Sequence, residues 1–573
     1  MLYLDTRYKF TRINFIRKLI NYFVSGIVSI VFIFLNIFAF LNKKDSTEIL
    51  NIFAYSSIPV FCLGIFNALV SFWTNKHLRK MFINECLEIV NFTKMPNKLP
   101  KVVYVYTTHN DFMPGRLLQN MKQSYKNFEV WISDGSSNKQ IIDEIDLFVK
   151  KYSNVHLFRM KNESKNKADN LNTFLKESGA TFDYLLIADA DEALHERFVE
   201  KALPFFYSSK IDRLAYVTPL NQTYRTRSLF SNYGRFVENF VFFNDLKSNW
   251  TLSDYPHTYG ASSLFSGEFV KKVMGNQFPI GCFEDWYSEN IAVRKGWAGL
   301  ITPITICTQA FDSSSPALFS RLMRINDWGI KYNKEQAFKD YNEKYEKWFM
   351  KAFLILFIPL IILLIIFILS TLIWLFSYHF DFILSNKPLM FSLIVNVTLL
   401  LIGLIFLGFD KPKITITFKE KVLAPIFAFF IGLAFLPRVL QHWYLAFVKS
   451  KYMEFGGSPK RFIKYGFMKN IQKIFPDIIW FIVLSVLLSI FDFTFVYYGL
   501  YLKLSYLFVF VNVVLTVFWI SCISSIFLYI TSQIIENKKY NPNDFIVYDN
   551  EFVQFKKIKE EFYTKNKIED KVY

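Results

Sequence analysis

Charged and uncharged positions divide this chain into a polar middle and two apolar flanks. Six runs in the flanks are almost free of charge, and each is as long as the ~20 apolar residues that a helix needs to cross a bilayer. Asp492 is the one charged residue within these runs, which are Leu19–Leu41, Ile49–Thr74, Ala352–Tyr378, Leu389–Phe409, Ile478–Leu502 and Leu504–Ile535. The pattern predicts two membrane spans before the polar middle and four after it.

A seventh apolar segment, Val422–Pro437, is shorter than a comfortable span and is bracketed by Pro425 and Pro437. The stretch that follows, 438–473, holds eight basic residues against the single acid Glu454. If Val422–Pro437 crossed, this basic stretch would face outward, against the tendency of basic loops to stay inside. We therefore expect Val422–Pro437 to lie in the interface or to re-enter, which gives six spans with both termini inside.

The polar middle alternates short apolar runs with segments of helix length, which indicates βαβ units and a mostly parallel sheet. The predicted strands of these units are Lys101–Thr108, Phe128–Ser133, Val155–Met160 and Tyr184–Ala188, followed by Leu214–Leu220 and Tyr259–Phe265. Ser315-Pro316 is a helix-start signal, and an amphipathic helix is predicted from there to about Lys347.

Three carboxylates follow the fourth predicted strand within four residues, at Asp189, Asp191 and Glu192. In open α/β sheets, ligands bind beyond the carboxyl ends of the strands. Asp189 and Asp191 are hard oxygen donors of the type that suits Mg²⁺ or Mn²⁺ together with substrate phosphates. A solvated acidic loop fits the Asp-x-Asp spacing equally well when the motif is taken alone.

Composition narrows the class of protein. The chain is 52% hydrophobic, has 66 Phe among its 573 residues and carries a net charge of +18, which together exclude an ordinary soluble enzyme. The five cysteines are scattered without paired metal spacing, so the polar middle is expected to face a reducing cytoplasm. With this many spans, lipid headgroups and basic-inside loops account for the charge, and no nucleic-acid partner is expected.

Several motifs of the polar middle occur in the order of one known family. They are Val103–Asn110 with Val130–Ser137, Asn166–Asn172, the Asp189/Asp191 pair, the Gly-rich strand Gly260–Phe265, and Gly281–Trp286 with Arg294–Trp297. With them the block resembles the family 2 inverting glycosyltransferases of the GT-A fold. The whole chain is similar to the membrane-embedded processive polysaccharide synthases, the cellulose, hyaluronan and curdlan synthase group.

The resemblance implies roles for individual residues. It assigns Thr107, Thr108, Asp134, Lys167 and Asp189 to the nucleotide-sugar donor, with Asp134 accepting the imide N–H of the base. It assigns Mg²⁺ or Mn²⁺ to Asp189 and Asp191. The Thr-Glu-Asp motif of the family corresponds to Phe283-Glu284-Asp285, so Asp285, with Glu284 beside it, is the candidate catalytic base, and Trp286 is assigned to the acceptor.

Two further motifs are matched with departures. In place of Gln-x-x-Arg-Trp the chain has Arg321, Arg324 and a later Trp328, which share one helical face. Arg324 is assigned to the diphosphate, and Arg321 and Trp328 to the acceptor. Residues 414–419 resemble the gating loop of cellulose synthases, which would place Thr417 and Lys419 at the donor. A plain edge strand or linker fits residues 414–419 as well.

The expected protein is a processive β-glycosyltransferase that polymerises sugars from a UDP-linked donor onto a growing polysaccharide and exports the polymer through its own spans. Its expected parts are two spans (1–75), a cytoplasmic GT-A domain inserted between membrane segments (76–347), a region of four spans with the interfacial segment near 422–437 (348–535), and a charged cytoplasmic tail (536–573). The chain is therefore expected to be a multi-pass protein of the cell membrane. The sequence does not specify accessory subunits.

Two rival functions use the same residues. A lipid-carrier glycosyltransferase would add a single sugar to a polyprenyl phosphate. A transporter with a nucleotide-binding domain would be expected to carry charged residues inside its spans. The predicted spans carry one such residue, Asp492, which lies near a span end.

Overall fold

The computed structural model describes residues 77–78, 80–161, 166–223, 262–279, 284–309 and 561–566, together with isolated positions in 12–62 and 395–524. The described residues form a mixed α/β domain around one eight-stranded sheet of order β3-β2-β1-β4-β7-β6-β8-β5. The strands are β1 Val102–Thr108, β2 Phe128–Asp134, β3 Val155–Arg159, β4 Tyr184–Ala188, β5 Glu192–Leu194, β6 Leu214–Thr223, β7 Ser263–Ser266 and β8 Ala298–Gln309.

Helices flank this sheet on both sides. They are α1 (80–92), α2 Pro114–Asn120, α3 Lys139–Lys151, α4 Lys167–Glu177, α5 Phe198–Tyr207, α6 Glu284–Arg294 and α7 (561–566), with a π-helical turn at Phe269–Val273. Pro114 begins α2, where its missing N–H costs no helical hydrogen bond. The side chain of Asn138 caps α3, and that of Asn166 caps α4 by accepting from the Asp169 N–H.

Alternate residues of the central strands enter two different cores. In β1, Tyr104 and Tyr106 belong to one hydrophobic cluster and Val103 and Val105 to the other, and all are buried. Successive side chains of a strand point to opposite faces of the sheet, so β1 lies between two helical layers. Continuous burial of this kind is typical of parallel strands covered on both faces.

The first four strands confirm the predicted βαβ units, because β1 pairs in parallel with β2 and β4, and β2 pairs in parallel with β3. The later part of the sheet is mixed. Strand β7 is antiparallel to β4 and β6, and β5 is antiparallel to β8, whereas β6 and β8 are parallel. Strands β5 and β8 were not among the predicted strands.

A short C-terminal helix packs against the start of the domain. Phe562 of α7 is buried in the same hydrophobic cluster as Leu78 and Phe82, and Tyr563 packs against that cluster. Lys80 and Glu561 form an ion pair with 2.7 Å between Nζ and Oε2. Helices α1 and α7, which are far apart in the sequence, therefore meet on one surface of the domain.

No helix within the described residues combines the length and the apolar character needed to cross a bilayer. The six predicted spans, the segment 422–437 and the predicted helix after Pro316 lie outside the described residues, apart from isolated positions.

Candidate functional site

The carboxyl ends of β1, β2 and β4 meet at one edge of the sheet. Thr108 is paired with Asp134, and Tyr106 with Ala188, the residue before Asp189. Since the three strands are parallel, the residues that end them lie side by side. The sheet thus brings together the predicted donor residues of three separate motifs.

Asp134 is fully buried at the end of β2. Its Oδ1 accepts the Ser136 N–H at 2.9 Å, and its Oδ2 accepts from Nε of Arg159 on β3, also at 2.9 Å. A buried carboxylate needs such partners to remain ionised. Any nucleobase that bonds to Asp134 would therefore share this carboxylate with Arg159.

Asn170 connects the ends of β1 and β2. It is buried on α4, and its Nδ2 donates to the carbonyl oxygens of Ser133 at 3.1 Å and Thr108 at 3.4 Å. Its Oδ1 accepts from the Ser133 hydroxyl. Because one amide both donates and accepts, this residue, which departs from the small residue of the family motif, ties the two strand ends together.

Lys167 links the two acidic motifs. Its Nζ lies 2.6 Å from Oδ1 of Asp189 and 3.9 Å from Oε1 of Glu284. Burial lowers the pKa of Lys167, but the negative charges of Asp189 and Glu284 outweigh that effect and raise the pKa above its ordinary value. Residues 167, 189 and 284, which are far apart in the sequence, therefore share one polar cluster.

Glu192 closes the turn formed by residues 189–192, which we call the Asp189 turn. Its Oε2 accepts the Asp189 N–H at 2.9 Å and the Ser262 hydroxyl at 2.7 Å. Burial, followed by repulsion from Asp189 and Asp191, raises the pKa of Glu192 to about 7. The backbone of the turn is closed by a hydrogen bond from the Glu192 N–H to the Asp189 carbonyl at 3.1 Å.

Glu284 and Asp285 occupy the first turn of α6. Burial raises the pKa of Glu284 to about 7, where Lys167 opposes the rise and Asp285 adds to it. Two adjacent carboxyl groups near a cation can hold and transfer a proton near neutral pH. The structure thus brings Glu284 of the predicted base motif close to Lys167, which contacts Asp189. Trp286 follows on the same helix.

The Asp189 turn offers hard oxygen ligands that fit Mg²⁺ or Mn²⁺. Asp189 is partly exposed and Asp191 is buried. Among the described residues, no three His, Cys, Asp or Glu side chains are grouped closely enough to hold a metal ion by themselves. A site with few protein ligands that is completed by water and phosphate is the usual form for Mg²⁺, so these residues suit a cation that arrives with a diphosphate.

Five predicted site residues lie outside the described residues, namely Arg321, Arg324, Trp328, Thr417 and Lys419. Arg159 and Arg116 contribute to the site although neither was predicted as a site residue. Arg159 pairs with Asp134, and this pairing follows from the position of β3 beside β2 in the sheet. Arg116 is fully buried in the short helix α2. Its charge and its polar neighbours in the sequence would instead predict an exposed side chain.

Comparison with known proteins identifies part of the domain. Residues 102–274 match the family model described as Glycosyl transferase family 2. The matched residues run from β1 past the π-helical turn and include Asp134, Lys167, Asp189 and Asp191. Helix α6 lies beyond them. This stretch of the chain is therefore similar to glycosyltransferase family 2 domains.

Three solved structures show weak similarity to the chain. A mannosyltransferase from Pyrobaculum calidifontis in complex with GDP-Man and Mn²⁺ is 16% identical, with a TM-score of 0.40, and the alignment covers 70% of this chain and 100% of that one. S. aureus TarS 1–349 in complex with UDP-GlcNAc is 17% identical, with a TM-score of 0.28 over 40% of this chain and 66% of that one. GalNAc-T7 with UDP, GalNAc and Mn²⁺ is 14% identical, with a TM-score of 0.31 over 45% and 58%.

No curated protein matches the sequence. The assignment of the domain therefore rests on the family match and on the residues themselves.

Proposed function

We propose that this protein is a membrane-embedded, processive β-glycosyltransferase that builds a polysaccharide from a nucleotide-diphosphate sugar. The family 2 domain supports transfer from a nucleotide-sugar donor. The observation that carries the proposal is the contact of Lys167 with both Asp189 and Glu284, because it joins the candidate donor residues to the motif that holds the candidate base, Asp285.

In the proposed reaction, an acceptor hydroxyl oxygen attacks the anomeric carbon of the donor. Asp285 takes the hydroxyl proton as the new C–O bond forms, and the bond to the diphosphate oxygen breaks with its electron pair leaving on the diphosphate. In-line displacement inverts an α-linked donor to a β-linked product. Lys167 lies where its charge can stabilise the departing diphosphate.

Asp189 and Asp191 would hold the divalent cation, Mg²⁺ or Mn²⁺, which when bound neutralises charge on the diphosphate. Thr107, Thr108 and Asp134 line the strand ends where the nucleoside would lie. The resemblance of the sequence to polysaccharide synthases favours UDP as the nucleotide. Trp286, Arg321 and Trp328 would contact the acceptor, as the resemblance to the synthases implies.

The proposed setting is the cell membrane, with the catalytic domain in the cytoplasm between two N-terminal spans and four later ones. The uncharged runs and the basic loops support this arrangement. In the synthesis of a polymer, spans beside the crevice would provide the export path, and Thr417 and Lys419 would form a gating loop over the donor.

Product length distinguishes processive synthesis from single transfer. Purified full-length protein, incubated with radiolabelled UDP-sugars one at a time in the presence of Mg²⁺ or Mn²⁺, should yield a polymer from one of them. A single sugar on added polyprenyl phosphate would identify a lipid-carrier transferase instead. Absence of both transfer and donor hydrolysis across UDP- and GDP-linked donors would overturn the proposed function.

The base is tested by a matched pair of substitutions. Asp285→Asn preserves size and most hydrogen bonding but removes basicity, so transfer should fall roughly 100- to 10,000-fold while cation-dependent UDP binding persists. Glu284→Gln should retain more activity than Asp285→Asn. Near-normal turnover in Asp285→Asn with collapse in Glu284→Gln would move the role of base to Glu284.

A further inference from the structure

Strand β5, which begins at Glu192 directly after the Asp189 turn, lies at one end of the sheet. Its hydrogen-bonded neighbour is β8, and no other described strand lies along its second edge. Peptide groups on a buried strand edge must find other partners. Helix α2 supplies them, because its side chains take the place that a neighbouring strand would have.

The contacts between α2 and this edge follow the chain in register. Four side chains from residues 116–123 donate to backbone carbonyl oxygens of residues 191–195. These hydrogen bonds run from Arg116 Nη1 to Asp191 at 2.6 Å, from Asn120 Nδ2 to Glu192 at 3.0 Å, from Gln119 Nε2 to Leu194 at 3.4 Å and from Gln123 Nε2 to His195 at 3.0 Å. Oδ1 of Asn120 also accepts the Leu194 N–H at 2.7 Å. Arg116 and Asn120 are four residues apart in α2 and so share one face of the helix, and Gln123 follows shortly after the helix ends.

Arg116 differs from the other members of this face because it is charged. Its side chain is fully buried, and burial of a guanidinium is costly unless nearby negative charge compensates for it. The Asp189 turn, whose Asp191 carbonyl oxygen lies 2.6 Å from Nη1 of Arg116, carries the three carboxyl groups of Asp189, Asp191 and Glu192.

A neutral amide would be enough to satisfy the Asp191 carbonyl, since Asn120 and Gln119 do this for Glu192 and Leu194. The positive charge of Arg116 is therefore an additional property of this position. It lies on the protein side of the acidic turn, whereas Lys167 contacts Asp189 from α4.

We propose that Arg116 is a positioning residue that fixes the Asp191 backbone and balances the charge of the turn, so that Asp189 and Asp191 are held ready for a divalent cation and the donor diphosphate. The link to the cation and donor rests on the proposed function. The link to the backbone of the turn does not, and the two are tested separately.

The first measurement is amide hydrogen exchange on purified full-length protein in metal-free buffer. Arg116→Gln should speed exchange at residues 189–194, with little change in β1 and β2. Tyr125→Phe is the matched control, because it removes a different buried hydrogen bond, from the Tyr125 hydroxyl to the Pro100 carbonyl. Its effect should be absent from residues 189–194. Unchanged exchange there in Arg116→Gln overturns the proposal.

The second measurement is the cation dependence of transfer. Groups that orient the ligands of a metal typically change its affinity or the activity by about 10- to 100-fold. Arg116→Gln should raise the Mn²⁺ concentration for half-maximal activity by that factor. Arg116→Lys, which keeps the charge, should restore part of the loss, and Tyr125→Phe should leave the Mn²⁺ dependence unchanged.

The outcomes separate the two proposals. Faster exchange in Arg116→Gln with an unaltered Mn²⁺ dependence would mean that Arg116 supports the fold alone, which overturns its role in positioning. If the parent protein transfers no sugar, the proposed function fails while hydrogen exchange still decides the structural link. If Arg116→Gln does not accumulate, the same two measurements on Arg116→Lys must show a smaller shift in the same direction, and no shift overturns the proposal.

Discussion

Glu284, in the first turn of α6, has a direct consequence for the pH dependence of stability. Its pKa in the folded protein is about 7, whereas an unfolded Glu titrates near ~4.3. Between these values the folded state binds more protons than the unfolded state, so stability falls as the pH rises through this window.

Glu284→Gln removes this titration. We expect the midpoint of thermal unfolding of the purified protein, measured in metal-free buffer, to fall from pH 5 to pH 8 in the parent and to fall less in Glu284→Gln. Tyr125→Phe should shift the midpoint by a similar amount at both pH values. A parallel pH dependence in parent and Glu284→Gln would show that the carboxyl group is not buried as described.

At the scale of residues, the sequence predicted the candidate site carboxylates but not the arginines that bond to them or to their backbone. Asp134, Asp189 and Asp285 follow apolar strands or a family motif, which are local signals. The partners Arg159 and Arg116 come from other elements, and their roles depend on the order of strands in the sheet. Nothing in their own neighbourhoods separates them from surface arginines.

At the scale of elements, Gly267 marks a close approach of two strands. A Cβ atom at this position would meet the backbone carbonyl of Asp183, to which the Gly267 N–H also donates at 2.7 Å. Backbone cannot move aside as a flexible side chain can, so β7 can follow β4 at this point only with glycine.

Gly267→Ala should therefore destabilise the domain by about 3 kcal/mol, at the upper end of the usual cost of overpacking. Gly179→Ala is the comparison, since Gly179 has a φ of 72° and open space around it, which leaves only a conformational cost of about 1 kcal/mol. The measurement is the yield and thermal midpoint of folded protein for each variant. Equal losses would contradict the close approach.

The parallel strands could be predicted because each is a continuous apolar run. Strands β5 and β8 could not. Strand β5 has three residues and begins with a carboxylate, Glu192. Its partner residues in β8 lie more than a hundred positions later in the chain. Pro303 interrupts β8, and proline inside a run argues against a strand. Tertiary pairing decides both.

At the scale of the whole molecule, the contact between α1 and α7 bears on membrane topology. Lys80 and Glu561 can form their ion pair only if both lie on the same side of the membrane. Any crossings between them must then be even in number. Four spans with a non-crossing segment at 422–437 satisfy this condition, and five spans do not.

A cysteine pair tests this contact in native membranes. Lys80→Cys with Glu561→Cys, in a protein whose native cysteines are replaced, should be joined by a short bismaleimide and yield a crosslinked peptide by mass spectrometry. Lys272→Cys with Glu561→Cys is the control, because Lys272 is highly exposed and pairs with Glu268 on another part of the domain. Equal crosslinking of both pairs, or of neither, would contradict the α1–α7 contact.

The same contact has a consequence for the timing of synthesis. Lys80 and Glu561 are 481 positions apart, and at the ~5–20 residues per second of translation roughly 25 to 100 s separate their emergence from the ribosome. During that interval the sheet can form, but the surface of α1 that receives Phe562 stays uncovered. Phe562 reaches this surface only after all eight strands of the sheet have been synthesised, so a chain truncated before Phe562 keeps this part of the apolar surface open.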